Sequence, residues 1–248
     1  MAKKIMVMMI LAAFGAAGAF AQPKFRLSGG VGEYITSDFG GGVEATTRQT
    51  LSGGGVELWE RKVGHMKTPY GGAGVFWFLD ATFIELNIGL FGAFGSWEEY
   101  RRVSSPGRTI KHEMVGVGAD IGLMAKYPFS VNEKLEIFPL LGITYRTMLV
   151  TLDNKEYDDS ESLDALWFKF GGGLDYSFTD IVYLRVGILY GFRLKNNYEK
   201  DTAGYLDSLL NDSGMVILPG RPTRNNTSVD SRLGHGLEIK CAVGFRFY

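Results

Sequence analysis

The sequence predicts an all-β chain that closes on itself as a transmembrane, antiparallel, up-and-down β-barrel of eight strands. Three observations predict it. Segments of membrane-crossing length carry apolar residues at every second position. Short and long connections alternate along the chain. The chain ends on Lys240 to Tyr248, "KCAVGFRFY", instead of the frayed polar tail common at domain ends.

Composition bounds the class. The chain is 46% hydrophobic and 13% aromatic with 34 Gly, yet no apolar run after Gly18 is long enough for a spanning helix, which excludes a helical membrane protein. A net charge of -1 argues against nucleic acid as a partner, since binding it rewards a concentrated basic face. Residues 1 to 21 read as a cleaved secretory signal: Lys3 and Lys4, an apolar run from Ile5 to about Gly18, then Ala19-Phe20-Ala21. The mature barrel then occupies 22 to 248. The single cysteine, Cys241, rules out an intramolecular disulfide framework.

Strands are expected at 25 to 36, 71 to 79, 82 to 96, 112 to 127, 135 to 150, 164 to 178, 181 to 195 and 235 to 248. In the third, Ile84, Leu86, Ile88, Leu90 and Phe94 share one face, while Glu85, Asn87, Gly89, Ala93 and Gly95 share the other. The fourth opposes Val115, Val117, Ile121 and Leu123 to Gly116, Gly118, Asp120 and Lys126. The fifth sets Ile137, Leu141, Ile143 and Tyr145 against Glu136, Thr144 and Arg146, with Pro139 wanting an edge or bulge. The sixth opposes Leu166, Phe168, Phe170, Leu174 and Tyr176 to Lys169, Gly171, Gly173 and Asp175. The seventh opposes Val182, Leu184, Val186, Ile188 and Tyr190 to Arg185, Gly187 and Arg193. The last places Leu237, Ile239, Cys241, Val243, Phe245 and Phe247 opposite Glu238, Lys240, Ala242, Gly244 and Arg246.

Short turns fall at Asp80 to Thr82, Pro128 to Lys134 and Thr179-Asp180. Long polar stretches fall at about 37 to 70, 97 to 111, 151 to 163 and 196 to 234. The first two strands read less cleanly. Gly29-Gly30 is a candidate bulge that switches the face, Glu33 falls on the face that Phe25 and Leu27 give to lipid, and residues 74 to 79 are apolar on both faces. Residues 53 to 64 are either part of an extended hairpin above the membrane or, with residues near 43 to 50, two strands of a ten-stranded barrel. Eight is the favoured count.

A soluble barrel or sandwich also alternates, so the second face decides. It is dominated by Gly with isolated charges of both signs, which suits a narrow lumen where small residues leave room for long charged side chains. Glu85, Asp120, Glu136, Asp175 and Glu238 face inward beside Lys126, Arg146, Lys169, Arg185, Arg193, Lys240 and Arg246. Because an eight-stranded barrel is only just filled by side chains, these charges are expected to form a closed ionic plug and not an ion-selective pore.

The closing residues resemble the C-terminal sorting signal of bacterial outer-membrane barrels: Lys240, Phe245 and Phe247 stand where a polar residue and two alternate aromatics are read. Ala242 stands where Gly is usual, and Tyr248 extends one residue past the pair. Residues 25 to 248 as a whole resemble the small eight-stranded outer-membrane proteins of the OmpA, OmpX, OmpW and opacity-protein type. The resemblance implies outer-membrane lipid and the barrel assembly machinery as partners, loops outside and both termini periplasmic. It further implies structural anchoring, adhesion or, for the OmpW type, passage of small apolar solutes.

Little points to chemistry. His65, His112 and His235 fall at strand or loop ends, and none stands two residues before a Ser as in the lipid deacylase of this size class. The acidic stretch 153 to 164 lacks the turn Gly of a calcium loop, and the Gly clusters lack the Lys-Ser/Thr of a phosphate loop. No enzyme activity, cofactor or metal is expected. In the fourth loop, Tyr205, Leu206, Leu209 and Leu210 recur at helical spacing, as a short cap over the barrel mouth or a binding surface for an extracellular ligand. Two functions remain: a plugged barrel presenting loops to a partner, and a narrow conduit for small apolar solutes.

Overall fold

The computed structural model describes residues 25–39, 41–51, 57–101, 108–152, 160–196 and 223–247. The strands are β1 (Leu27–Asp38), β2 (Gly42–Leu51), β3 (Glu57–Lys67), β4 (Tyr70–Asp80), β5 (Ile84–Arg101), β6 (Arg108–Lys126), β7 (Phe129–Ser130), β8 (Leu135–Leu152), β9 (Ser160–Ser177), β10 (Val182–Asn196), β11 (Thr223–Arg232) and β12 (Gly234–Phe247). Eight of them close a ring of antiparallel neighbours in the order β1, β4, β5, β6, β8, β9, β10, β12 and back to β1. The β1–β12 pairing, Leu27 opposite Phe247 through Asp38 opposite Gly236, is the closure that removes both edges.

Alternation builds the wall inside out. Val117 is 65% exposed and Ile188 is 55% exposed, while Arg146 is 2% exposed and Arg185 is 4% exposed. Such a surface, aliphatic over the outer face of all eight strands, is stable only in hydrocarbon, so the barrel is a membrane-spanning one. Aromatic rings gather near the rim that holds the termini, with Tyr127 and Phe129 at 5.0 Å and Tyr176 and Phe178 at 5.5 Å. Others gather toward the opposite rim, where Tyr190 stacks on His235 at 6.0 Å. These are the girdles of a membrane barrel.

At the terminal rim the turns are short because side chains close them. Asn132 Oδ1 accepts from the amides of Lys134 and Leu135 at 2.9 and 2.8 Å, and Thr179 Oγ1 accepts from those of Ile181 and Val182 at 3.2 and 2.9 Å. Thr82 holds φ at 64°, unusual for a β-branched residue. Its amide donates to Asp80 Oδ1 at 2.8 Å and its hydroxyl donates to the Arg26 carbonyl at 2.9 Å, which fixes the bend.

At the far rim β5 and β6 run to 18 and 19 residues, well beyond the roughly 9 to 11 that cross a membrane. Against this extension the β2–β3 hairpin adds through Gly64–Lys67 of β3 on Glu98–Arg101 of β5, and β11 joins the outer side of β2. Residues 43 to 50 and 57 to 67 therefore form a sheet beside the barrel mouth and not a ninth and tenth stave.

Two local readings of the sequence are corrected. Gly29-Gly30 is no bulge: both ladders of β1 run through it without a shift, and Glu33 does face outward. Pro139 sits inside the wall, but there the neighbours of β8 change from β7 at Ile137 to β6 at Leu140, so its missing N–H falls in a gap. Residues 1 to 21, expected as a signal, the expected cap residues Tyr205, Leu206, Leu209 and Leu210, and Tyr248 lie outside the described residues.

The ionic lumen as candidate functional site

Two register pairs seed the site. Asp175 stands opposite Arg185 on β9 and β10, and Asp120 opposite Arg146 on β6 and β8. In each, adjacent inward positions let the carboxylate take both nitrogens of the guanidinium fork. Arg185 donates from Nε and Nη2 to Asp175 at 2.8 and 2.7 Å, and Arg146 from Nε and Nη2 to Asp120 at 2.7 and 2.8 Å.

Each Arg then spans the lumen. β10 lies four staves from β5 in either direction round the ring, and Arg185 reaches across to Glu85 Oε2 at 2.5 Å and to Asp80 Oδ2 at 2.6 Å. Lys126 supports it, donating to Asp80 at 2.5 Å beside Asp175 at 3.7 Å. Glu136, which faces Asp175 in the register, is neutralised by Arg26. Nearer the far rim Arg146 on β8 reaches the diametrically opposed β1 at Thr36 Oγ1, 3.0 Å, and the Tyr70 hydroxyl on β4, 3.0 Å. Glu238 receives Lys169 at 2.6 Å, Lys240 at 2.9 Å and Arg146 at 3.4 Å. Arg193 closes on Asp38 at 2.7 Å. Arg246 sits at the terminal mouth, donating to Ser177 Oγ at 2.8 Å.

Aromatic rings fill what the charges leave. The Arg185 guanidinium lies 4.3 Å from the Phe78 ring centroid, that of Arg146 4.8 Å from Phe91, and Lys126 Nζ 4.0 Å from Phe138. The inward glycines make room for these rings more than for the charges. A Cβ on Gly244 would come within 2.2 Å of the Tyr183 ring, and one on Gly173 within 2.6 Å of the Phe138 ring. Three lumen cavities hold only about 10 Å³ each, room for about one water. Asn87 Oδ1 and Trp167 Nε1, which have no hydrogen-bond partner among the described residues, border two of them.

The sequence missed Asp38, Asp80, Tyr34, Tyr70 and Arg26. The signal was available for two: Asp38 continues the inward series of Tyr34 and Thr36, and Asp80 that of Phe76 and Phe78. Of the histidines, His235 packs on Phe39 and Tyr190 on the outer wall. Among the described residues no group of three or more His, Cys, Asp or Glu is placed to hold a metal ion. Outside the lumen, Ile137, Pro139, Gly172, Leu174 and Ile188 line an apolar groove of about 500 Å³ on the lipid side. The β8–β9 and β9–β10 ladders behind it are continuous, so it does not breach the wall.

Closed antiparallel barrel, apolar exterior and ionic interior together define the class: a small eight-stranded transmembrane β-barrel of the outer-membrane type. No protein-family model and no curated protein sequence matches the chain. Among solved structures it is similar to the outer membrane protein OprG from Pseudomonas aeruginosa, at 12% identity over 92% of this chain and 99% of that one, TM-score 0.42. It is also similar to Neisserial surface protein A, at 13% identity over 87% and 97%, TM-score 0.37. A third is the outer membrane protease OmpT from Escherichia coli, at 8% identity over 91% and 99%, TM-score 0.36.

Proposed function

We propose that this chain is a bacterial outer-membrane protein whose barrel is a sealed anchor and whose working surface is the sheet and loops at the far rim. On this reading residues 1 to 21 are removed on export, both termini face the periplasm, and Lys240, Phe245, Phe247 and Tyr248 serve the assembly machinery. The ionic network carries the reading: Arg185 and Arg146 each tie opposite walls of the barrel together, which favours a plug over a pore. The lateral groove is the feature a conduit for apolar solutes would need, but the β8–β9 and β9–β10 ladders behind it run unbroken.

Surface display is tested by inserting a short epitope between β2 and β3, at residues 52 to 56, and separately at Val131. On intact cells antibody should reach the first and not the second. The reverse, or equal access, would overturn the assigned orientation.

A further inference from the structure

The outer wall carries one residue at mid-depth that breaks its apolar pattern. The outward series along the first strand is Leu27, Val31, Glu33, Ile35 and, just beyond it, Phe39. Register places Glu33 between Cys241 of β12 and Val75 of β4, without a shift in either ladder. Around it Val31, Ile35, Trp77, Ile239 and Val243 are all exposed to the lipid side. Among the described residues nothing hydrogen-bonds or ion-pairs with the Glu33 carboxylate. Asp164, also on the outer wall but toward the far rim, accepts from Thr147 Oγ1 at 2.6 Å.

Depth rules out the usual escapes. Leu27 and Phe39 lie six residues to either side of Glu33. At about 3.3 Å per residue that is ~20 Å of strand, or ~15 Å of membrane depth at the usual barrel tilt. A two-carbon stem cannot snorkel so far, so neither bulk water nor a lipid headgroup meets the carboxylate. A second copy supplies no cation either, because the outward-facing Lys111 and His235 among the described stave residues stand toward the far rim. A cationic donor for this carboxyl can come only from a different chain in the same membrane.

We propose that Glu33 is a lateral docking point for another membrane-spanning polypeptide, one that brings a Lys or Arg donor to the middle of the bilayer. Ionisable residues within a membrane are costly and mark such sites. The small neighbours Ala73 and Cys241 allow a partner backbone to approach closely. This inference goes beyond surface display and uses none of the lumen residues.

The test uses the barrel in phosphatidylcholine vesicles, with a fluorophore at Val131→Cys in a Cys241→Ser background. The probe is a synthetic apolar spanning helix with one central Lys, compared with the same helix carrying Leu there. Energy transfer should appear at about tenfold lower helix-to-lipid ratio for the Lys helix. Glu33→Leu should erase that difference, and Glu33→Gln, which still accepts a hydrogen bond, should keep part of it. Equal transfer from both helices, or a preference that survives Glu33→Leu, would overturn the site. Heat-modifiability of each variant verifies folding, and bilayer conductance of the same variants keeps a failure of the plug distinguishable from a failure here.

Discussion

Arg185 shows how much of the interior rests on single side chains. Four of its N–H donors answer three carboxylates on β4, β5 and β9, and it is buried under Phe78. Removing it leaves Asp80, Glu85 and Asp175 with Lys126 as the nearest cation, and Lys126 contacts only the first and last of them. Breaking a buried ion pair by deleting one partner typically costs about 3–5 kcal/mol. Arg185→Ala is therefore expected to lower unfolding stability in vesicles by about that amount, measured by urea titration of tryptophan fluorescence. Arg185→Lys should fall between, keeping the charge and losing the fork. An unchanged midpoint for Arg185→Ala would mean that these charges are solvated in the folded barrel.

At the scale of elements, pattern fixed much and composition hid the rest. The eight staves were legible because a period of two repeated over whole membrane crossings, as in Val115 through Leu123. β1 was harder: Glu33 on the lipid face mimics a change of face, and a bulge at Gly29-Gly30 offered an easy but incorrect remedy. β8 was blurred by Phe138, Leu140, Met148 and Val150, apolar residues that face inward and fill the lumen beside the charges. Register could not be read, so neither could the paired forks of Asp120 with Arg146 and Asp175 with Arg185, nor the role of glycines lying under rings. The β2–β3 hairpin reads as strand for the same reason the staves do, yet among the described ladders it pairs with the barrel at Gly64–Lys67 alone. Replacing residues 42 to 67 with an Asn-Gly turn should leave a folded, heat-modifiable barrel with a melting temperature close to that of the parent. Loss of the folded form would show the hairpin to be part of the barrel's stability and not a display element.

For the whole molecule the arrangement inverts a soluble protein: aliphatic side chains meet the hydrocarbon and the charges make the core. That core holds because carboxylates and cations are matched across opposite walls, leaving cavities of about one water each. The claim that the lumen is sealed by these pairs is tested most directly by single-channel conductance in planar bilayers. The parent protein should be silent, and Arg146→Ala/Arg185→Ala should open steps of ionic current by removing both side chains that cross the barrel. Steady conductance from the parent would contradict the plug and make the lumen a pathway.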